Sequence, residues 1–324
     1  MYSIGFFVRH FGERGTEVAI YDYAKYNIIL LGNKSFIFHF SNDTKKKLGW
    51  SLTKDSYEKF RAYFEVFEIN DISDMKIYIK QLKLTHFYTL THGGKDIYKF
   101  TDKNIWENCK TIKHCVFNAS VRDANINLVI SPEVCKNTQV LPHMIDLPKC
   151  KDNLRNDLKI ENDKIVVGNF GGSDSFNISF VHNTIIEYLS VHENIVFLFM
   201  NNKTFNYKHK NIIQLPKNVD TLYKMKFINT CDCMLHARNI GETFGIAVGE
   251  FAVNNKPVIT CRSNIHNAHI DNLENKAILY SNQIELFNIF SNIQNILYSR
   301  NDWKAYSDFS ANKVITKFSD ILKD

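Results

Sequence analysis

Short runs of large apolar residues alternate along this chain with stretches in which apolar positions recur every third or fourth residue. "SIGFFV" (3–8), "SFIFHF" (35–40), "YFEVFEI" (63–69), "HFYTL" (86–90), "KHCVF" (113–117) and "NLVIS" (127–131) read as strands rich in Phe, Val and Ile. "TEVAIYDYAKYNIIL", "TKDSYEKFRAYF" and "SDMKIYIKQL" lie between them with helical spacing. The second half repeats the style, with strands at "KIVVGNF" (164–170), "NIVFLFM" (194–200), "NIIQL" (211–215), "CDCMLHA" (231–237) and "KPVIT" (256–260). Helices are expected at about 178–190, 218–230, 244–254 and 283–299, and over the amphipathic tail from 301. Strands separated by helices predict parallel α/β layers, because a parallel pair needs a crossover long enough to hold a helix.

The alternation weakens at "PHMIDLPKCKDNLRNDLKIEND" (142–163), which holds two of the five prolines and many charges, and this stretch reads as a linker. At 324 residues the chain accommodates two domains of about 150 residues. We expect residues 1–145 in an N-terminal Rossmann-like domain and 146–300 in a C-terminal one. A helix at about 301–324 is expected to pack back on the first. Two doubly wound domains facing each other across a cleft place a ligand at the carboxyl ends of their strands.

Composition narrows this only a little. Hydrophobic residues at 44% and charged residues at 23% describe an ordinary globular chain. No apolar run reaches membrane-spanning length, and "MYSIGFFVRH" reads as a first strand rather than a signal peptide. Seven scattered cysteines, an odd number, fit reduced thiols and a cytoplasmic location. The net charge of +6 suits an acidic partner, and equally a lysine-rich solvated surface. It shows no basic stripe interleaved with aromatics, so no nucleic acid is expected as partner.

The chemistry concentrates in "IGETFGIAVGEFAVNNKPVIT" (240–260), where Glu242 and Glu250 bracket seven residues that are mostly small or apolar. The stretch reads as strand, turn and helix start, the geometry that offers backbone N–H groups to phosphate. Gly245 lets the backbone approach a ligand, and Glu250 can accept from ribose hydroxyls. Two solvent-facing glutamates on an amphipathic helix are the plainer alternative. "CDCMLH" (231–236) suggests metal, but Cys-x-Cys puts two thiols on one face of a strand and lacks two further ligands, so no metal is expected.

"ETFGIAVGE" followed by "NNKPVIT" resembles the E-x7-E motif of retaining GT-B glycosyltransferases of family 4, matching at Glu242, Phe244, Gly245, Glu250, Pro257 and Val258. "VLPHMIDLP" (140–148) is similar to the segment by which those enzymes enter their second domain. The resemblance implies a GT-B fold and sugar transfer from a nucleoside-diphosphate sugar to an acceptor hydroxyl with retention, with no cofactor or metal. It implies that Glu242 contacts the donor sugar and Glu250 the ribose, with the Thr243–Phe244–Gly245 backbone around the phosphates. His236, Arg238 and Lys224 are drawn in beside them. Gly171 and Gly172 occupy the place of the family's glycine-rich turn, Arg14 and Gly15 that of its N-terminal loop, and His114 that of a histidine near the donor sugar. The acceptor implied is a glycan, lipid-linked or protein-linked, with weak peripheral membrane contact through "DTKKKLGW" (43–50).

The chain departs from the pattern at Asn169, where the family carries a phosphate-binding arginine. That departure leaves open a non-catalytic or degenerate nucleotide-sugar binding protein. Two other GT-B classes also stay open: an enzyme acting on nucleic-acid bases, and a nucleotide-sugar epimerase.

Overall fold

The computed structural model describes every residue except 13, 51, 204–206, 264 and 324. The chain divides into two compact units, Met1–Met144 with Asp308–Asp324, and Ile145–Ser307. Each unit is an open parallel sheet with helical crossovers.

The first sheet contains β1 (Ser3–Phe7), β2 (Lys34–Phe40), β3 (Glu65–Ile69), β4 (His86–Thr91), β5 (Lys110–Cys115), β6 (Ile126–Val129) and β7 (Gln139–Val140). Their spatial order is β3-β2-β1-β4-β5-β6-β7, and the pairings are parallel. Strands covered on both faces read as unbroken apolar runs, which is why "SIGFF" is buried at every position. The crossovers carry α1 (Gly15–Ile29), α2 (Asn42–Leu48), α3 (Lys54–Arg61), α4 (Met75–Gln81) and α5 (Lys103–Trp106). One aromatic cluster fills this unit, with Phe7 touching Phe40, Phe87 and Tyr98.

The second sheet runs β10-β9-β8-β11-β13-β15. Its members are β8 (Ile165–Phe170), β9 (Ile195–Met200), β10 (Ile212–Leu215), β11 (Cys233–His236), β13 (Val258–Cys261) and β15 (Ala277–Tyr280). Two short strands, β12 (Gly241–Glu242) and β14 (His266–Asn267), pair separately. The helices are α6 (Ser179–Val191), α7 (Thr221–Thr230), α8 (Ile246–Val253), α9 (Ala268–Leu273), α10 (Gln283–Ser291) and α11 (Ile293–Tyr298). In each sheet the order reverses beside the first strand, next to β1 and next to β8. Ligands of doubly wound sheets sit at such reversals, outside the carboxyl ends of the strands.

Several local expectations need correcting. The helix expected over 283–299 is interrupted at Asn292, which lies between α10 and α11. The tail is helical only over α12 (Ala311–Ile321), preceded by a short 3-10 turn at Ser307–Phe309. Buried residues of α12 recur at Ala311, Val314, Ile315, Phe318 and Ile321, and the Phe318 ring packs on Phe6, Tyr23 and Tyr88 of its own unit. Burying that ring contributes about 2 kcal/mol. "DTKKKLGW" falls in helix α2, capped by Ser41 and closed by Gly49 at φ 68°. It turns Lys45 inward to Nδ1 of His39, 2.9 Å away, and exposes only Lys46 and Lys47 of its three lysines.

Candidate functional site

The loops after β8 and β11 flank the reversal in the second unit, and the chain ties them together. Asn177 N donates to the Ala237 carbonyl at 2.9 Å, and Asn239 N donates to Oδ1 of Asn177 at 2.8 Å. The Gly171–Gly172 turn is therefore held beside the strand end that carries His236 and Arg238. It is closed by Ser175, whose backbone N and Oγ both donate to the Gly172 carbonyl. Helix α6 begins only at Ser179, so these glycines lie in a turn of their own rather than at a helix start.

Glu242 is set by the β12–β14 pair, in which Gly241 faces His266 and Glu242 faces Asn267. Gly241 has φ 66°, and a Cβ there would lie 1.7 Å from the His266 carbonyl oxygen, so the approach requires glycine. Arg238 Nη1 donates to Glu242 Oε2 at 2.9 Å, and His236 Nε2 lies 3.5 Å from Oε1. Burial pushes the Glu242 carboxyl up, but His236 and Arg238 outweigh it and hold the group below its ordinary range. Glu242 is an anion at neutral pH, with its side chain one-fifth exposed.

Behind it lies a polar chain that the motif did not announce. His236 Nδ1 is 2.9 Å from Thr260 Oγ1, and Thr260 Oγ1 is 2.9 Å from His269 Nε2. Thr260 and His269 are fully buried, and burial beside His236 brings His269 down to about 3. Tyr280 donates its hydroxyl to the His236 carbonyl at 2.8 Å. A sequence signal for this chain did exist. β11 and β13 are neighbours, and the polar residue that follows the apolar run in each, His236 and Thr260, stands opposite the other in register.

Glu250 forms a second centre on α8. Lys224 of α7 donates to Glu250 Oε1 at 2.6 Å, with the two side chains 12% and 4% exposed. The Lys224 ammonium also stands 5.4 Å from the centre of the Phe170 ring. Glu250 Oε2 is buried and has no hydrogen-bond partner among the described residues. Arg238 and Lys224, two of the three cations considered for a diphosphate alongside Arg14, are thus each committed to one of the two glutamates.

Between the glutamates, Thr243 and Phe244 are buried. The Phe244 ring meets Tyr306 edge-on, and its carbonyl accepts from the Tyr306 hydroxyl at 2.6 Å. Gly245 precedes α8 with φ 83° and no side-chain cap. Asn169, in place of an arginine, is 1% exposed and fully used: Nδ2 donates to the Leu235 carbonyl at 2.6 Å, and Oδ1 accepts from Asn202 at 2.7 Å. It cross-links β8 to β11 and pins the loop after β9.

The remaining candidates belong to the first unit. Arg14 and Gly15 are exposed at the start of α1. His114 is fully buried near the end of β5, its Nδ1 2.6 Å from the Tyr88 hydroxyl, and burial beside His143 lowers its pKa well below the ordinary value. Tyr23 and Tyr88 wrap it edge-on. Of the two "CDCMLH" thiols, Cys231 donates to the Phe227 carbonyl and Cys233 is part of the apolar core. Among the described residues no helix is long and apolar enough to cross a membrane.

No family model matches the chain, and no curated protein matches it. Solved structures do. HepE of Anabaena in complex with UDP-glucose is 14% identical, with TM-score 0.72 and 100% of both chains covered. A glycosyltransferase of Rickettsia africae is 15% identical, with TM-score 0.73 over 99% of this chain and 98% of that one. UDP-GlcNAc 2-epimerase of Neisseria meningitidis, bound to UDP-GlcNAc, is 10% identical, with TM-score 0.59 and both chains fully covered. The fold is GT-B: two Rossmann-like, doubly wound α/β domains.

Proposed function

We propose that this protein is a glycosyltransferase that moves a sugar from a nucleoside-diphosphate sugar to an acceptor hydroxyl. The observation that carries the reading is the state of Glu250, a buried carboxylate with one oxygen held by Lys224 and the other without a partner. A buried acceptor left open costs stability unless a ligand fills it, and two vicinal ribose hydroxyls are donors of the right kind. Glu242, kept anionic by Arg238 and His236, is the matching acceptor for hydroxyls of the donor sugar. The uncapped first turn of α8 supplies N–H groups and a positive dipole end for the diphosphate between them.

HepE crystallises with UDP and with UDP-glucose, which makes a uridine nucleotide the first donor to try. The chemistry we infer is retaining and metal-independent. The leaving diphosphate takes the proton of the incoming hydroxyl on the same face of the sugar, and the protein supplies orientation and electrostatic stabilisation. The acceptor class is a glycan, lipid-linked or protein-linked.

The test is a thermal-shift series with UDP-, GDP-, ADP- and CMP-sugars on the wild type and on Glu250→Gln. Glutamine keeps a hydrogen-bond acceptor for Lys224 in place of its counter-charge, so circular dichroism and the unliganded melting curve of the variant establish its folding before donors are compared. One nucleotide class should stabilise the wild type, by about 2.7 kcal/mol at a hundredfold excess over Kd, and Glu250→Gln should lose most of that. Transfer from the same donor should persist in EDTA, and NMR of the product should show the donor's anomeric configuration. No shift with any of these at millimolar concentration would sink the reading. Isomerisation of the donor without transfer would replace it with an epimerase.

A further inference from the structure

The chain from Glu242 through His236 and Thr260 to His269 obeys a counting rule. A threonine hydroxyl has one proton to give. Thr260 Oγ1 lies 2.9 Å from an imidazole nitrogen on each side, Nδ1 of His236 and Nε2 of His269, with all three side chains buried. It donates to one ring, so the other ring must donate to it.

With both rings neutral, two proton patterns satisfy that rule. In one, Thr260 donates to His236 Nδ1 and receives a proton bond from His269 Nε2. A neutral His236 then carries its single proton on Nε2, facing Glu242 Oε1 at 3.5 Å. In the other, neutral His236 is protonated on Nδ1 and turns a bare Nε2 lone pair toward Glu242. That arrangement sets two acceptors against each other in a site of low dielectric, where the mismatch is costly. Each pattern gives its protons acceptors, since His269 also faces the Glu242 backbone carbonyl, but only the first turns a proton rather than a lone pair toward the charged carboxylate. The other charge on the glutamate comes from Arg238 on its own loop, and Tyr306, which also feels Asp271, stands nearby. The backbone adds rigidity: Tyr280 fixes the His236 carbonyl, and His269 lies in the first turn of α9, two residues after Asn267, the β14 partner of Glu242.

We propose that Thr260 and His269 are positioning residues that hold His236 as its Nε2–H tautomer, so that its proton is aimed at Glu242. His269 never touches the ligand in this scheme. It acts two bonds away by dictating which proton Thr260 keeps. The functional side of the proposal rests on the reading of Glu242 as the sugar-contacting carboxylate, since an anion locked in one orientation accepts a hydroxyl without having to reorganise.

The first readout needs no donor. Nitrogen-15 NMR of histidine-labelled protein, with the two rings assigned by the signals lost in His236→Gln and His269→Gln, reports which nitrogen carries each proton. At neutral pH the wild type should show both rings protonated on Nε2. Thr260→Val keeps the β-branched shape that β13 requires and removes the hydroxyl, so His236 should become a mixture of tautomers, whereas Thr260→Ser should keep the wild-type pattern. Donor affinity measured by calorimetry with UDP-glucose should fall about tenfold in Thr260→Val and stay within about twofold in Thr260→Ser. His269→Leu should behave like Thr260→Val, and His269→Gln, whose amide can donate from the Nε2 position, should recover most of the affinity. A wild-type His236 protonated on Nδ1, alone or together with Nε2, or a tautomer unmoved by Thr260→Val, would overturn the proposal. An absence of UDP-glucose binding to a wild type showing the expected tautomers would instead count against the proposed donor, and leave the proton chain standing.

Discussion

Lys224 and Glu250 show how closely stability and binding are coupled at a single pair. Both side chains are largely withdrawn from water and only 2.6 Å apart. Removing one partner strands the other as a buried ion, so Lys224→Ala is expected to destabilise the protein by about 3–5 kcal/mol. The double substitution Lys224→Met with Glu250→Leu should recover much of that stability while abolishing donor binding. Chemical denaturation of the three proteins would check it. Equal stability of Lys224→Ala and wild type would mean that solvent reaches the pair. The two glutamates were legible in the sequence because their spacing and the glycines between them stand out. Their cations were not. Lys224 and Arg238 were weighed for a diphosphate, yet a one-dimensional pattern does not say which ion a lysine two elements away will meet. The inward turn of Lys45 was hidden for the same reason, since a run of three lysines conceals which one the helix buries.

At the scale of elements, the strand and helix alternation gave away the layered fold, because parallel strands buried on both faces must be apolar throughout. What stayed hidden is short or polar. β12 and β14 have two residues each and no periodicity, yet they place Glu242. The dependence on Gly241 makes this testable. Gly241→Ala must distort a φ of 66° and displace the His266 carbonyl, so it should cost at least about 2 kcal/mol and loosen Glu242. Gly49→Ala is the control, because φ is 68° there and a Cβ meets nothing within 4 Å. It should pay only the conformational cost, about 1 kcal/mol. Urea unfolding of both variants would show the difference, and equal midpoint shifts would contradict the claim.

For the whole molecule, buried histidines set the response to acid. Burial brings His39 and His86 down to about 4, and His143 and His269 to about 3. His114 is lowered well below its ordinary value too. Ordinary imidazoles in the unfolded chain take up protons below about 6.5, while these stay neutral in the fold. The unfolded state therefore binds more protons between roughly pH 6.5 and 4, and each such histidine removes up to about 1.4 kcal/mol of stability per pH unit as pH falls through that window. Four of the five lie in Met1–Met144 and one in Ile145–Ser307. The first unit should thus lose protection at higher pH than the second, as read by pulsed hydrogen exchange with mass spectrometry. Simultaneous loss would show that other groups dominate.

Asn169 carries a consequence for anyone who would convert this protein toward the family that its motif resembles. A substitution table presents that position as an arginine waiting to be restored. The fold says otherwise, because the amide is a keystone: it clasps the Leu235 carbonyl with one end and Asn202 with the other, in a place that water does not reach. An arginine introduced there would have to break both clasps and bring a charge into the gap between two strands. The route to more cation at the proposed diphosphate site therefore runs through the rim of the neighbouring loops, and the residue that looks like a loss is a position the packing has closed.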